Sequence, residues 1–161
     1  MNDGLDHGFT GRARPPGGPE RKPSGHAPPS WVKSGVCFFV TICCATRKVN
    51  RLCHPRVSRV IFESASRYQE ASKWHLRLLL LMPDHLHALV VPNPDRQFAR
   101  LIGDWKRYVA SVAGVDWQKN FFDHRLRNDE SWEEKAHYIR ENPVRAGLIR
   151  EGATWPYQIQ F

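Results

Sequence analysis

The chain has no long apolar run. Nothing in its 161 residues approaches the roughly 20 consecutive apolar residues a membrane-spanning helix needs, so a membrane role is not expected. The first twenty residues carry Asp3, Asp6, Arg12 and Arg14 without an apolar core, so a secretory signal is not expected either. Cysteine is scarce. Cys37, Cys43, Cys44 and Cys53 are the whole set, and no two stand at C-x-x-C spacing. That argues against a zinc knuckle or a disulfide frame and for reduced cytosolic thiols. Acidic residues are in the minority, 16 against 24 Lys and Arg, for a formal charge of +8. An excess of this sign favours a polyanionic partner, nucleic acid first.

With 41 % hydrophobic and 25 % charged residues, the composition is that of one soluble globular domain. Residues 1–30 stand apart. They hold six prolines and six glycines, too little apolar surface to offset the entropy of ordering, and are expected to be a disordered tail. The tail carries four basic and three acidic residues. Taking those from 24 and 16 leaves 20 basic and 13 acidic residues in 31–161, so the folded part carries the surplus, net +7.

Gly35 to Cys44 is short and rich in Val, Ile and Phe, which predicts a buried strand. Val57, Ile61, Ala65 and Tyr68 recur at helical spacing behind Pro55, a good first helical residue. Trp74–Met82 and His85–Val91 read as a strand hairpin turning at Pro83-Asp84. Asp95 can cap a helix with Phe98, Leu101, Ile102, Trp105, Tyr108 and Val112 on one face, ended by Gly114. Phe121, Phe122 and Leu126 suggest a further strand. Ser131-Trp-Glu-Glu134 is a capping box opening a helix that Pro143 closes. The order strand, helix, strand, strand, helix, strand, helix predicts an α+β sandwich of the ferredoxin-like kind.

Two patterns carry chemistry. His85 and His87 alternate on a strand, so both imidazoles share a face. Two neutral imidazoles about 7 Å apart at the backbone can converge on one metal ion. A strand this apolar is expected to bury both faces, and buried imidazoles need either a metal or hydrogen-bond partners. Tyr138 and Asn142 are four apart on a helix, on a face rotated from the apolar stripe of Trp132, Ala136 and Ile139. They read as a hydroxyl beside an amide that can ligate a metal, or simply as a half-buried tyrosine and a helix-ending Asn-Pro. Lys106, Arg107, Lys119, Arg125 and Arg127 lie in a basic stretch, 96–127, and with Arg145 are candidates for phosphate contacts. Trp105, Trp117 or Trp132 could stack unpaired bases. His124 reads equally as a DNA contact, a supporting group or a structural residue.

MPDHLHALVVP, FFDHRLRNDES and EKAHYIRENPVRAGLI, in that order, resemble the single-tyrosine HUH transposases. The likeness is greatest to the REP-associated tyrosine transposases of bacteria and spans residues 31–157. It implies a ferredoxin-like fold with the tyrosine helix over the sheet. By position, His85 and His87 match the metal-binding histidines, Tyr138 the nucleophile and Asn142 the third metal ligand. It implies Mg²⁺ or Mn²⁺ and no small-molecule cofactor. It implies cleavage and rejoining of single-stranded DNA at hairpin-forming repeats through a 5′-phosphotyrosine, in a monomeric or homodimeric cytoplasmic protein on the nucleoid. Two other readings compete: a catalytically inactive ferredoxin-like nucleic-acid-binding module, and a metal-dependent hydrolase using the same histidines. A binder has no need of His85, His87, Tyr138 and Asn142 together. A hydrolase needs a carboxylate-rich site, and only Asp84 adjoins the pair.

Overall fold

The computed structural model describes residues 27–127 and 129–161. Residues 1–26, most of the stretch expected to be a disordered tail, lie outside it. The elements run α1 (Ser30–Ser34), β1 (Phe38–Cys43), α2 (Pro55–Glu70), β2 (Trp74–Leu81), β3 (His85–Pro92), α3 (Phe98–Ala113), β4 (Phe122–Arg125), α4 (Trp132–Arg140), α5 (Asn142–Arg145) and β5 (Gln158–Gln160). The strands form one antiparallel sheet in the order β4-β1-β3-β2-β5. The first four strands and the two helices between them make the predicted ferredoxin-like sandwich.

Alternation gives the sheet two faces. Val40, Ile42, Leu86, Ala88 and Val90 point to one, where they meet Trp105 and Ile102 of α3 around a tight apolar seam. Small residues on α2 let the layers close. Ser64 Oγ accepts the Trp105 indole N–H at 2.9 Å, and the Ala65 carbonyl accepts that of Trp74 at 3.2 Å. Trp105 is therefore a core residue and not the base-stacking surface considered for it.

The α3 stripe is also narrower than its sequence suggests. Leu101, Ile102, Trp105 and Val109 are buried, while Tyr108 and Val112 face solvent. Asp95 does not cap this helix. It starts at Phe98 behind Gln97, which makes no side-chain cap. Gly114 ends it in the left-handed region, φ 68°, donating to the Ala110 carbonyl.

The opposite face carries Phe39, Thr41 and Cys43 of β1, and His85 and His87 of β3, across from one another in register. Helix α4 packs over this face. Its start is as predicted, with Ser131 Oγ accepting from the Glu133 and Glu134 N–H groups. Its end is not. The helix stops at Arg140 and the chain turns at Glu141. Pro143 then sits in the first turn of α5, so it opens a new helix instead of closing the old one. Strand β5 was not legible in the sequence because three residues, Gln-Ile-Gln, show almost no alternation. It is held by long-range anchors: the Trp155 indole donates to the Leu81 carbonyl at 2.8 Å, and Leu81 N–H to that of Tyr157 at 2.8 Å.

Candidate active site on the helix-covered sheet face

His85 and His87 share the covered face, as their spacing requires, with ring centroids 4.9 Å apart. Each is half-buried and each has a protein partner. His85 Nδ1 donates to Asp84 Oδ1 at 2.7 Å. An ionised carboxylate only accepts, so Nδ1 carries a proton and Nε2 is left outside this bond. His87 Nδ1 and the Thr41 hydroxyl lie 2.9 Å apart, and the Phe39 ring stacks on the imidazole at 5.5 Å. The hydrogen-bond network is thus present, and it engages Nδ1 of each ring and not Nε2.

Asp84 is 7 % exposed and uses both oxygens. Oδ2 accepts from Arg47 Nε at 2.9 Å and from the Lys48 N–H at 2.6 Å. Burial alone would push this carboxyl up. The hydrogen bonds from His85 and Lys48 and the Arg47 charge outweigh it, and the group sits below its ordinary value. Thr41, Arg47 and Lys48 are neighbours of the candidate site that sequence reading missed. Thr41 was the more accessible of them: a lone hydroxyl in an apolar strand is a candidate partner for a neighbouring strand's histidine.

Burial, then electrostatic repulsion from the His85 and Arg145 side, holds His87 in the neutral form and lowers its pKa to about 3. The unfolded chain, with an ordinary value of 6.5, takes up a proton where the fold does not. The stability that His87 contributes is complete above about pH 6.5 and falls as the pH drops toward 3. His75, lowered mainly by burial, acts in the same sense. Urea unfolding is expected to show a lower midpoint at about pH 5 than at about pH 7, and part of that drop should vanish in His87→Asn. An unaltered drop in the variant would remove His87 as its source.

Tyr138 lies on α4 and Asn142 opens α5. Tyr138 is 53 % exposed. Its ring lies under the Arg145 guanidinium at 4.1 Å. Lys135 Nζ is 5.8 Å from the same ring and 5.6 Å from that of Phe39, the ring stacked on His87. Tyrosine and histidines therefore share neighbours. Because the helix breaks at Glu141, helical spacing does not set the Tyr138–Asn142 relation. Arg145 does: one of its Nη atoms donates to the Tyr138 carbonyl at 2.7 Å and to Asn142 Oδ1 at 2.9 Å. Asn142 Nδ2 is buried and has no protein acceptor among the described residues.

By chemistry, two imidazoles and an amide oxygen are donors that a divalent ion would accept. Two imidazoles can present bare Nε2 atoms, and Asn142 Oδ1 keeps a second lone pair beside Arg145. Imidazole and amide oxygen with no thiolate among them suit Mn²⁺ or Mg²⁺ better than a structural zinc.

The basic candidates divide. Arg107, Lys119, Arg125, Arg127 and Arg145 are exposed, Arg107 in an ion pair with Asp104. Lys106 departs from expectation. It is 8 % exposed, and its ammonium donates to the carbonyls of Gln118, Lys119 and Asn120 at 2.8, 3.1 and 3.4 Å. Its charge closes the loop after α3 and is not free for phosphate. Lys106→Met is expected to cost about 1–3 kcal/mol in denaturant unfolding with unchanged DNA affinity. An affinity loss equal to that of Arg125→Ala would return Lys106 to the binding surface. Trp132 is half-covered by the Arg77 guanidinium at 4.3 Å. His124 bonds to the Glu130 carboxylate at 3.0 Å, and Glu130 also accepts the Arg127 N–H at 2.7 Å, which fixes the turn after β4.

No helix among the described residues is long and apolar enough to cross a membrane. No protein-family model matches the chain. It is 22 % identical over 130 residues to the REP-associated tyrosine transposase of Escherichia coli (strain K12), covering 79 % of this chain and 77 % of that protein. It is 26 % identical over 148 residues to a provisionally named REP-associated tyrosine transposase of Haemophilus influenzae, covering 79 % and 80 %. Its fold is similar to that of a REP-associated tyrosine transposase solved bound to a REP hairpin, with TM-score 0.63, 22 % identity, and 77 % and 76 % of the two chains covered. By sequence and by fold the chain is similar to REP-associated tyrosine transposases.

Proposed function

We propose that the protein is a transposase that cleaves and rejoins single-stranded DNA beside hairpin-forming repeats, with Tyr138 as nucleophile. The observation that supports this reading is the His85–His87 pair on one sheet face, ring centroids 4.9 Å apart, with Lys135 of the covering helix near both the Tyr138 ring and the Phe39 ring stacked on His87, in a chain similar to transposases. A divalent ion, Mg²⁺ or Mn²⁺, held by His85, His87 and Asn142 would polarise the scissile phosphate. Asp84 and Thr41 orient the two imidazoles. Arg145 and Lys135, both over the Tyr138 ring, attract the phosphate to the phenol. The orphaned Asn142 amide donates to a phosphate oxygen. The phenol oxygen then bonds to phosphorus and the P–O3′ bond breaks. The phenol loses a proton and the departing 3′ oxygen gains one. The ester keeps the bond energy, so a second 3′-hydroxyl can reverse the step and join strands without ATP.

An end-labelled hairpin oligonucleotide incubated with wild-type protein and Mn²⁺ should yield a protein–DNA adduct on a denaturing gel, and chelator should abolish it. Binding should weaken with salt, with a slope near −0.7 per phosphate neutralised. Cleavage without adduct at any time would favour water as the attacking group. Binding without either would leave the nucleic-acid-binding module.

A further inference from the structure

We propose that residues 45–51 are a contact surface for the phosphate backbone of the bound strand, and that the buried Asp84 carboxylate couples this surface to the orientation of His85. The second half rests on the reading of His85 as a metal ligand. The segment wraps the Pro83–Asp84 turn that leads into β3. Arg51 and Leu52 N–H groups donate to the Pro83 carbonyl at 2.7 and 3.0 Å. The Lys48 N–H and Arg47 Nε bind Asp84 Oδ2 at 2.6 and 2.9 Å, while Oδ1 of the same carboxylate holds His85 at 2.7 Å. Lys48 adopts φ 61°, a left-handed conformation unusual for a side chain of its kind. Its hydrogen bond to Asp84 is the contact that justifies it.

The segment carries Arg47, Lys48 and Arg51 and no carboxylate. Lys48 and Arg51 are exposed, and neither is in an ion pair among the described residues. A cationic loop clamped to the turn before a candidate phosphate-handling histidine suits a polyanion passing that histidine. A phosphate that draws on Arg47 competes with Asp84 Oδ2. The carboxylate then keeps the Lys48 N–H and His85, so strand engagement tightens the His85 hydrogen bond.

Two measurements on the full chain test this. Fluorescence anisotropy with a labelled single-stranded hairpin oligonucleotide should show several-fold weaker binding for Lys48→Ala/Arg51→Ala, with the salt slope reduced by about 1.4. Unchanged affinity and slope overturn the surface. In metal-free protein, ¹⁵N spectra of the imidazoles should give a protonated Nδ1 for His85 in wild type and a mixture of tautomers in Asp84→Asn. That variant turns an amide N–H₂ against other donors. Its Mn²⁺ affinity, by titration, should fall about 10–100-fold. An unchanged tautomer and affinity overturn the coupling. Should Asp84→Asn fail to fold, Asp84→Glu, which displaces the carboxylate by one methylene, should show a smaller change of the same sense, and no change overturns the coupling. A wild type that binds no Mn²⁺ overturns the metal-ligand reading instead, while anisotropy and tautomer still decide this proposal.

Discussion

Tyr138→Phe is expected to abolish cleavage and covalent adduct together while leaving folding and hairpin binding intact. The substitution removes one oxygen from a side chain that is 53 % exposed. That oxygen makes no hydrogen bond among the described residues. The ring contacts with Arg145 and Lys135 involve the π face, which phenylalanine keeps. A stability change within about 0.5 kcal/mol is therefore expected. The other tyrosines are placed for other work. Tyr68 packs on Trp74 at 5.0 Å, Tyr157 on Trp155 at 5.4 Å, and Tyr108 accepts from Arg67 at 3.4 Å on the far side of the sheet. None can stand in for Tyr138, so the loss should reach background. An adduct surviving in the variant would move the nucleophile elsewhere.

The paired change His85→Ala with His87→Ala should also bring cleavage to background, in Mg²⁺ and in Mn²⁺ alike, with most DNA affinity kept because exposed arginines and lysines supply it. The structural cost is modest but real. Asp84 Oδ1 loses its donor, worth about 1–3 kcal/mol, though Oδ2 retains Arg47 and the Lys48 N–H. Phe39 loses the ring stacked on it. His85→Gln with His87→Gln fills more of the space and should give the same loss of cleavage at smaller cost in unfolding free energy. Full cleavage by either pair would sink the site assignment.

Much of the fold was legible because its elements follow one period each. The hairpin of β2 and β3 is two apolar runs around Pro-Asp, and α2 announces itself with Pro55. What the sequence hid depends on contacts distant along the chain. Strand β5 exists because Trp155 reaches Leu81, 74 residues away. Lys106 looks like any cationic helix residue until its ammonium meets three loop carbonyls. At the site, alternation was enough to put His85 and His87 on one face. The partner that fixes each ring was not deducible, since Thr41 meets His87 only through the β1–β3 register. The Tyr138–Asn142 pairing was read from helical spacing, but the helix breaks between them. Arg145 supplies the geometry that spacing could not.

The order in which the segments leave the ribosome has a consequence for the sheet. Strands β1, β2 and β3 are complete by Pro92, but α4, which covers one of their faces, begins at Trp132. At about 5–20 residues per second, that interval lasts a few seconds. Through it the face carrying Leu78, Leu80, Leu89 and the two histidines lacks its helical cover, and β1 and β2 still lack β4 and β5. The nascent chain thus passes through a stage with an apolar face and two open edges, the kind of surface that holding chaperones bind and that crowding turns to aggregation. Slow translation between Pro92 and Trp132 should lower the soluble yield, whatever the stability of the finished fold.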